Sequence, residues 1–418
     1  MARRRLLADI TPLRESPGFR ALFAGQLVSF VGTQITVVAV AYQVFRLTDS
    51  SLAVGLVSLV QLPPLLVGSL VGGAVVDSRD RRRLLMLMQL LLGLCSLALA
   101  LNAMLDRPAV WPLFVVTALA AGFSGLDHPA RSAVIPGMVE PGHLAAANGL
   151  WQIQMTTGLA LGPAVGGLLV AHVGAAGAFW VDVGSYAVAF VAVTRLPSLP
   201  PAGGGTKVSL GSIAEGLRFI KGSRALQGTF LIDINAMVFG MPRALFPALG
   251  LRVFGGGAST VGLLYAAPGT GALFGALTTG WVGRVRRQGL AVYVAVAVWG
   301  LAITAFGLSH WLPLALALLA LAGGADVVSA VFRNTILQTS VPDALRGRLS
   351  SVHIAVVTGG PRVGDLEAGA VASLTSPRFS VVSGGLACTV GVLVLAWLLP
   401  EFRGYVLPAP VIHSDDDG

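Results

Sequence analysis

Apolar runs of about twenty residues recur twelve times along the chain, separated by short polar, arginine-bearing or Gly/Pro-rich segments. They cover 18–43, 52–76, 84–105, 111–136, 146–171 and 177–196 in the first half. In the second half they cover 225–249, 260–282, 289–309, 311–337, 349–374 and 381–399. Each run is long enough to cross a bilayer as a helix, and none shows the two-residue alternation of a barrel strand. A breaker-rich linker, Pro197-Ser-Leu-Pro-Pro-Ala-Gly-Gly-Gly205, separates the halves. After it, Leu210, Ile213, Leu217 and Ile220 recur at helical spacing, with Glu215, Arg218 and Lys221 on other faces. That pattern predicts an amphipathic helix on the membrane surface. The expected organisation is an all-α membrane protein in two pseudo-symmetric six-helix bundles, 1–196 and 225–400. A linker, 197–224, joins them, and a cytoplasmic tail, 401–418, follows.

Composition agrees. Of 418 residues 55% are hydrophobic and 11% charged, with a mean hydropathy of +0.80. A soluble domain carries about a quarter charged residues, and a disordered chain is far less apolar. The net charge of +9 would suggest nucleic acid in a soluble protein, but here its distribution matters more. With a cytoplasmic N-terminus, twenty of the 28 basic residues fall on the inner side; Arg46, Arg107, Arg252 and Arg378 fall outside. Basic residues anchor cytoplasmic loops, so this bias orients the chain with both termini inside the cell membrane. The N-terminal residues lack the short apolar core of a signal peptide. Cys95 and Cys388 lie in apolar runs and suggest neither disulfide nor metal site. No nucleotide-binding loop, paired-His zinc motif or nucleophile elbow is present. An enzyme, a cofactor and a bound metal are therefore not expected.

The halves resemble each other. Val54, Gly55, Leu56, Gly68 and Gly73 recur 207 positions later as Val261, Gly262, Leu263, Gly275 and Gly280. Arg131, Gly162 and Gly167 recur 202 positions later as Arg333, Gly364 and Gly369. Homologous six-span halves with a midplane site between them are a common transporter plan.

The loop Gly73-Ala-Val-Val-Asp77-Ser-Arg79-Asp80-Arg81-Arg82-Arg83 joins spans two and three. Its acid can pair with the neighbouring arginines, or face the N-terminus of span eleven near Ser350 and latch one conformation. The same arginines can also serve only as membrane anchors. The loop resembles the major facilitator signature Gly-x-x-x-Asp-Arg/Lys-x-Gly-Arg-Arg/Lys, matching at Gly73, Asp77, Arg81 and Arg82 and departing at Ser78 and Asp80. In span five, Gly158, Gly162, Pro163, Gly166 and Gly167 let helices approach closely and bend. They also resemble the antiporter motif Gly-x-x-x-Gly-Pro-x-x-Gly-Gly of proton-driven exporters in that superfamily. The segments Phe19-Arg20-Ala21-Leu22-Phe23, Arg243-Ala-Leu-Phe-Pro-Ala-Leu249, Gly262-Leu-Leu-Tyr-Ala-Ala267 and Leu337-Gln-Thr with Gly347-Arg348 resemble the enterobactin-exporter branch of drug:proton antiporters. The resemblance implies a twelve-helix fold and outward movement of a siderophore-like or hydrophobic small molecule in exchange for protons. It implies no nucleic-acid partner.

Charges inside spans are costly and mark candidate sites. Asp127 and Arg131 share a helix face and have the parts of a proton switch; Asp365 beside Arg362, and Glu367, are the second set. Asp233, Arg243, Asp326 and Arg333 are candidates for the substrate cavity. Each can instead be a structural ion pair. Asp182 is expected near the outer end of its span with no special role. Span one, with Gly32-Thr33, offers no acid. Among Phe239, Met237, Tyr265 and Trp151, some can line a greasy cavity, although packing or lipid contact is their ordinary role. The expected partners are a small-molecule substrate, protons and membrane lipids, the chain acting as a monomer. A uniporter, a lipid or metabolite carrier, or a non-transporting membrane sensor are the alternatives.

Overall fold

The computed structural model describes residues 9–198, 200 and 210–406. Among them every regular element is helical. The long helices are α1 (Pro17–Thr48), α2 (Ser51–Ser78), α3 (Arg81–Ala103), α4 (Trp111–Val134) and α5 (Leu144–Thr194). They continue as α6 (Leu210–Lys221), α7 (Arg224–Phe239), α8 (Ala258–Thr278), α9 (Gln288–Leu308), α10 (Leu312–Ser340), α11 (Asp343–Leu374) and α12 (Pro377–Leu398). Several starts are capped by a side chain that satisfies a free N–H of the first turn. Ser16 caps α1, Ser50 α2, Asp80 α3, Ser223 α7 and Ser376 α12.

Ten of these helical stretches are long and apolar enough to cross a bilayer. The expected count of twelve differs at two places. First, the 51-residue α5 holds two expected spans joined almost without a loop. They part at Gly174, whose φ of 73° and ψ of 176° only glycine adopts readily. Second, α11 is 32 residues long but carries Arg362, Asp365 and Glu367 in its second half, and falls outside the apolar set. It also starts at Asp343, so Ser350 lies inside a helix and not at its N-terminus. Span seven departs from expectation as well. Instead of running unbroken to 249, α7 stops at Phe239, and short turns follow over Arg243–Leu245, Phe246–Ala248 and Leu249–Val253. Gly240 ends the helix, and Pro242 has no N–H to continue it.

The repeats pack alike. Within the first half α1 and α3 lie on α5, and α2 on α4; within the second, α8 and α9 lie on α10, and α7 on α11. Gly68 lets α2 close on Gly122 of α4, and Gly275, its counterpart, lets α8 close on Gly324 of α10. Two pairs of helices join the halves, α5 with α8 and α2 with α11. A Cβ on Gly167 would stand 2.6 Å from Cα of Gly262, and one on Gly369 would stand 2.7 Å from the carbonyl oxygen of Ser51. These contacts, with the Asp49–Arg252 ion pair, lie at one end of the molecule.

The outer surface is apolar. Leu374, Trp397 and Leu277 are 86%, 79% and 74% exposed, as suits side chains facing lipid. Trp111, Trp311 and Trp397 sit at or near helix ends, where aromatic rings favour the membrane interface. The α6 helix forms where expected, but its Ile220 is buried with Leu226, Phe230, Val341, Leu349 and Val352. So its C-terminal end packs on α7 and α11. The side chains of Leu210, Ile213 and Leu217 lie outside the described residues, as do those of Gly347, Arg348 and Ser350 and most of the linker and tail. The tail begins with a short helix, Pro400–Arg403, whose Phe402 is buried against Gly228 and Tyr293.

Candidate transport cavity

A cavity of about 370 Å³ lies between the halves. Valines and leucines of α1, α2 and α3 supply much of its wall, with Ser58, Asp182, Tyr186, Arg243, Arg362 and Asp365 as polar groups. A second space of about 190 Å³ adjoins it; Gln34, Leu159, Arg243 and Tyr265 line both, and Asp326 lines the second. An apolar wall with a few convergent polar groups is the usual form of a small-molecule site.

The broken helix α7 shapes the polar side. Because the chain turns at Gly240–Pro242, the amide of Ala244 is free of helical bonding and donates to Asp365 Oδ1 at 3.0 Å. Ser58 of α2 donates to the other carboxylate oxygen at 2.7 Å. Asp365 therefore ties α11 to the opposite half and to the break in its own. Arg362 does not pair with it. Its guanidinium donates instead to the carbonyl of Thr358, one turn back, at 2.6 Å. Glu367 is half-buried with no hydrogen bond or ion pair among the described residues, and lines neither space. Arg243 lies 5.8 Å from the centroid of the Tyr265 ring, and the Tyr265 hydroxyl donates to its carbonyl. Trp299 donates to the carbonyl of Gly240 at 3.0 Å and fixes the break. Removing a buried hydrogen bond leaves its partner unsatisfied and costs about 1–3 kcal/mol. Trp299→Phe is accordingly expected to lower the thermal midpoint in detergent, and an unchanged midpoint would mean the break holds without it.

Four other buried charges form two ion pairs. Arg131 bridges to Asp127 one turn before it, as their spacing predicts. Asp127 also accepts from Gln89 at 3.2 Å. Arg333 of α10 bridges to Asp233 of α7 and stands 3.5 Å from Asp326. Asp233 and Arg333 line neither space, whereas Arg243 lines both. Of the aromatic and methionine candidates, Tyr265 lines the walls; Met237 packs under Gly360 and Gly364.

The small residues of span five have distinct neighbours. Gly158 meets Phe30, Gly162 meets Gln34, Gly166 meets Ile35, and Gly167 meets Gly262 of the other half. One glycine-rich face thus seats α5 on both α1 and α8, and buried Pro163 lies within it. In the basic loop, Asp77 makes no hydrogen bond or ion pair among the described residues. Its arginines point elsewhere: Arg81 donates to the carbonyl of Ala133 and Arg82 to that of Thr194. Both complete the carbonyl ends of helices in the same half.

Asp182, expected at an outer end with no special role, stands elsewhere. It is buried, lines the cavity, and accepts from Thr36 (2.7 Å), Ser96 (2.6 Å) and Ser185 (3.0 Å). Thr36 and Ser96 lie well inside α1 and α3, so Asp182 sits deep between helices and not at an outer end. Close by, the hydroxyls of Thr33 and Tyr186 share a hydrogen bond at 2.9 Å.

Solved transporters share this architecture. The nucleoside transporter NupG aligns with a TM-score of 0.70 at 14% identity, over 93% of this chain and 100% of that one. A bacterial homologue of the human lysosomal transporter Spinster aligns at 0.68 and 15%, over 92% and 95%. A POT family transporter aligns at 0.70 and 13%, over 92% and 96%. The molecule has the major facilitator fold and is a membrane transporter, not an enzyme. It belongs to the transmembrane secretion effector family, whose profile matches residues 7–407. Enterobactin exporter EntS of Citrobacter koseri is 30% identical over 411 residues, covering 98% of this chain and 99% of the relative. EntS of Shigella boydii serotype 18 is 29% identical over 416 residues, covering both chains fully.

Proposed function

We propose that this protein is a proton-coupled exporter of an amphipathic small molecule, siderophore-like or drug-like, working by alternating access. α5 is read as two crossings and α11 as one, giving twelve in two bundles, 1–196 and 225–400. The positive-inside bias supports cytoplasmic termini and an inner-membrane location. In that orientation the closed end is external, and the described conformation opens inward. The full-length likeness to enterobactin exporters supports the direction of transport and the class of cargo.

The observation that carries the coupling is the position of Asp365. A carboxylate in the cavity wall, bonded to Ser58 of the other half, ties ionisation to the contact between halves. Protonation weakens acceptance from both Ser58 and Ala244, so the proton favours separation at that point. Asp127 is a weaker candidate, since Arg131 compensates its charge within one half. Glu367 and Arg362 are left as modulators. Asp77, without a hydrogen bond or ion pair among the described residues, is read as a latch that engages in the opposite state.

Efflux measured in proteoliposomes tests this, using a fluorescent hydrophobic cation and an imposed proton gradient. Wild type is expected to accumulate the dye only with the gradient. Asp365→Asn is expected to lose gradient-driven accumulation at least tenfold while still exchanging dye, and Asp127→Asn to retain most of it. Loss in Asp127→Asn alone would transfer the role to that residue. Transport indifferent to the gradient in wild type would point to a uniporter.

A further inference from the structure

We infer that Asp182 is a second proton-binding site, separate from Asp365, built from the hydroxyls of three helices in the wall of the cavity. It deepens the proposed coupling and rests on that reading only for its role in transport.

Asp127 and Asp233 each pair with an arginine. Asp365 accepts a backbone amide and shares its cavity with Arg243 and Arg362. Asp182 has only neutral partners among the described residues: Thr36 of α1, Ser96 of α3 and Ser185 of its own helix. An isolated carboxylate in an apolar interior is costly when ionised. Three hydroxyl donors reduce that cost. A hydroxyl can also accept, so when the carboxyl takes up a proton one of the three can turn and receive it. Both protonation states are then fully hydrogen-bonded in the same cage, which an arginine pair does not allow.

The surroundings hold few other charges. On its own helix Asp182 faces Tyr186, whose hydroxyl is engaged by Thr33. From α3, Cys95 beside Ser96 lines the same wall. From α1 only Thr33, Gln34 and Thr36 are polar at this level. Across the cavity stand Tyr265, Arg243, Arg362 and Asp365.

The seat is also closely fitted. A Cβ on Gly32 would stand 2.1 Å from Oγ of Ser185 and 2.4 Å from Oδ1 of Asp182. The backbone of α1 therefore covers the carboxylate directly, and the side of Asp182 that remains is the cavity. A proton reaches it from whichever side the cavity faces, as alternating access requires.

The test titrates purified protein in detergent. Proton uptake per molecule after a pH step is counted with an indicator dye, and the carboxyl C=O band is followed by infrared difference spectroscopy. Asp182→Asn keeps the shape and an acceptor for the hydroxyls; it is expected to take up one proton fewer and to lose one band. Asp365→Asn is expected to lose a different band, and the double variant both. Thr36→Val removes a donor that favours the ionised form, so the Asp182 midpoint is expected to move to higher pH. Full uptake by a folded Asp182→Asn protein, or an unmoved midpoint in Thr36→Val, would overturn the inference. So would uptake that sodium suppresses in wild type and not in Asp182→Asn, which would make this a sodium site. In proteoliposomes Asp182→Asn is expected to accumulate cargo about tenfold less per unit of pH gradient, because one coupled proton is lost. If no protein transports under a gradient while the titration difference persists, the export reading fails and the proton site stands.

Discussion

Gly167→Val is expected to stop efflux and to depopulate the conformation in which the two halves meet at the Asp49–Arg252 end. A Cβ there would stand 2.6 Å from Cα of Gly262, 2.7 Å from the carbonyl oxygen of Ala258 and 2.9 Å from the amide nitrogen of Gly262. All three are backbone atoms of α8, so no side chain can swing aside, and the helices must part. Overpacking of this kind costs about 1–3 kcal/mol. At about 1.4 kcal/mol per factor of ten, the closed conformation loses roughly ten- to a hundredfold in population. A transporter that must visit both states slows by a similar factor. The effect is read directly with a cysteine pair replacing Asp49 and Arg252, which bridge the halves. Cross-linking should fall in Gly167→Val and persist in Gly149→Val, where the added side chain begins in open space. Equal cross-linking in both would refute the account. By the repeat symmetry, Gly369→Val against Ser51 should behave like Gly167→Val.

Arg333→Leu is expected to be the most damaging single change to stability. Arg333 is 4% exposed and Asp233 1%, and the pair joins α10 to α7. Removing one partner of a buried pair costs about 3–5 kcal/mol, because the other charge is left uncompensated. The variant should express poorly and melt well below wild type in detergent. Replacing both members is a different matter, since an apolar pair of similar volume is often neutral. Asp233→Leu with Arg333→Leu should recover much of the lost midpoint, with Asp326 left at the edge of the site. If the double variant folds and transports, the pair is structural. If it folds and fails to transport, the pair belongs to the working machinery. A single variant as stable as wild type would contradict the burial argument.

The helices were legible because lipid imposes a simple rule on sequence: a span is long and apolar, and the loops carry the arginines. The repeat was legible because glycines needed for close approach recur at fixed offsets, and Gly55, Gly68, Gly167 and their counterparts all sit at helix crossings. The Asp127–Arg131 pair was legible as a four-residue spacing on one helix. Asp365 was visible as a charge in a span, but its partners were not. Ser58 lies on another helix, and the amide of Ala244 is free only because α7 breaks. The break itself had a signal in Gly240-Met-Pro242, hidden because its flanks are as apolar as any span. Asp182 too was visible as a charge in a span, but two of its three hydroxyl partners lie 146 and 86 positions away on other helices, and no periodicity joins them.

The broken helix hides part of this site from side-chain mutagenesis. The group that holds Asp365 from the α7 side is a main-chain amide, present whatever residue stands at 244. Alanine scanning, saturation libraries and comparisons of side-chain identity are blind to it, with proline the single coded residue that deletes it. Replacing that amide by an ester through semisynthesis or an expanded genetic code would expose it. Any coded residue but proline that the buried site at 244 accepts keeps the carboxylate anchored.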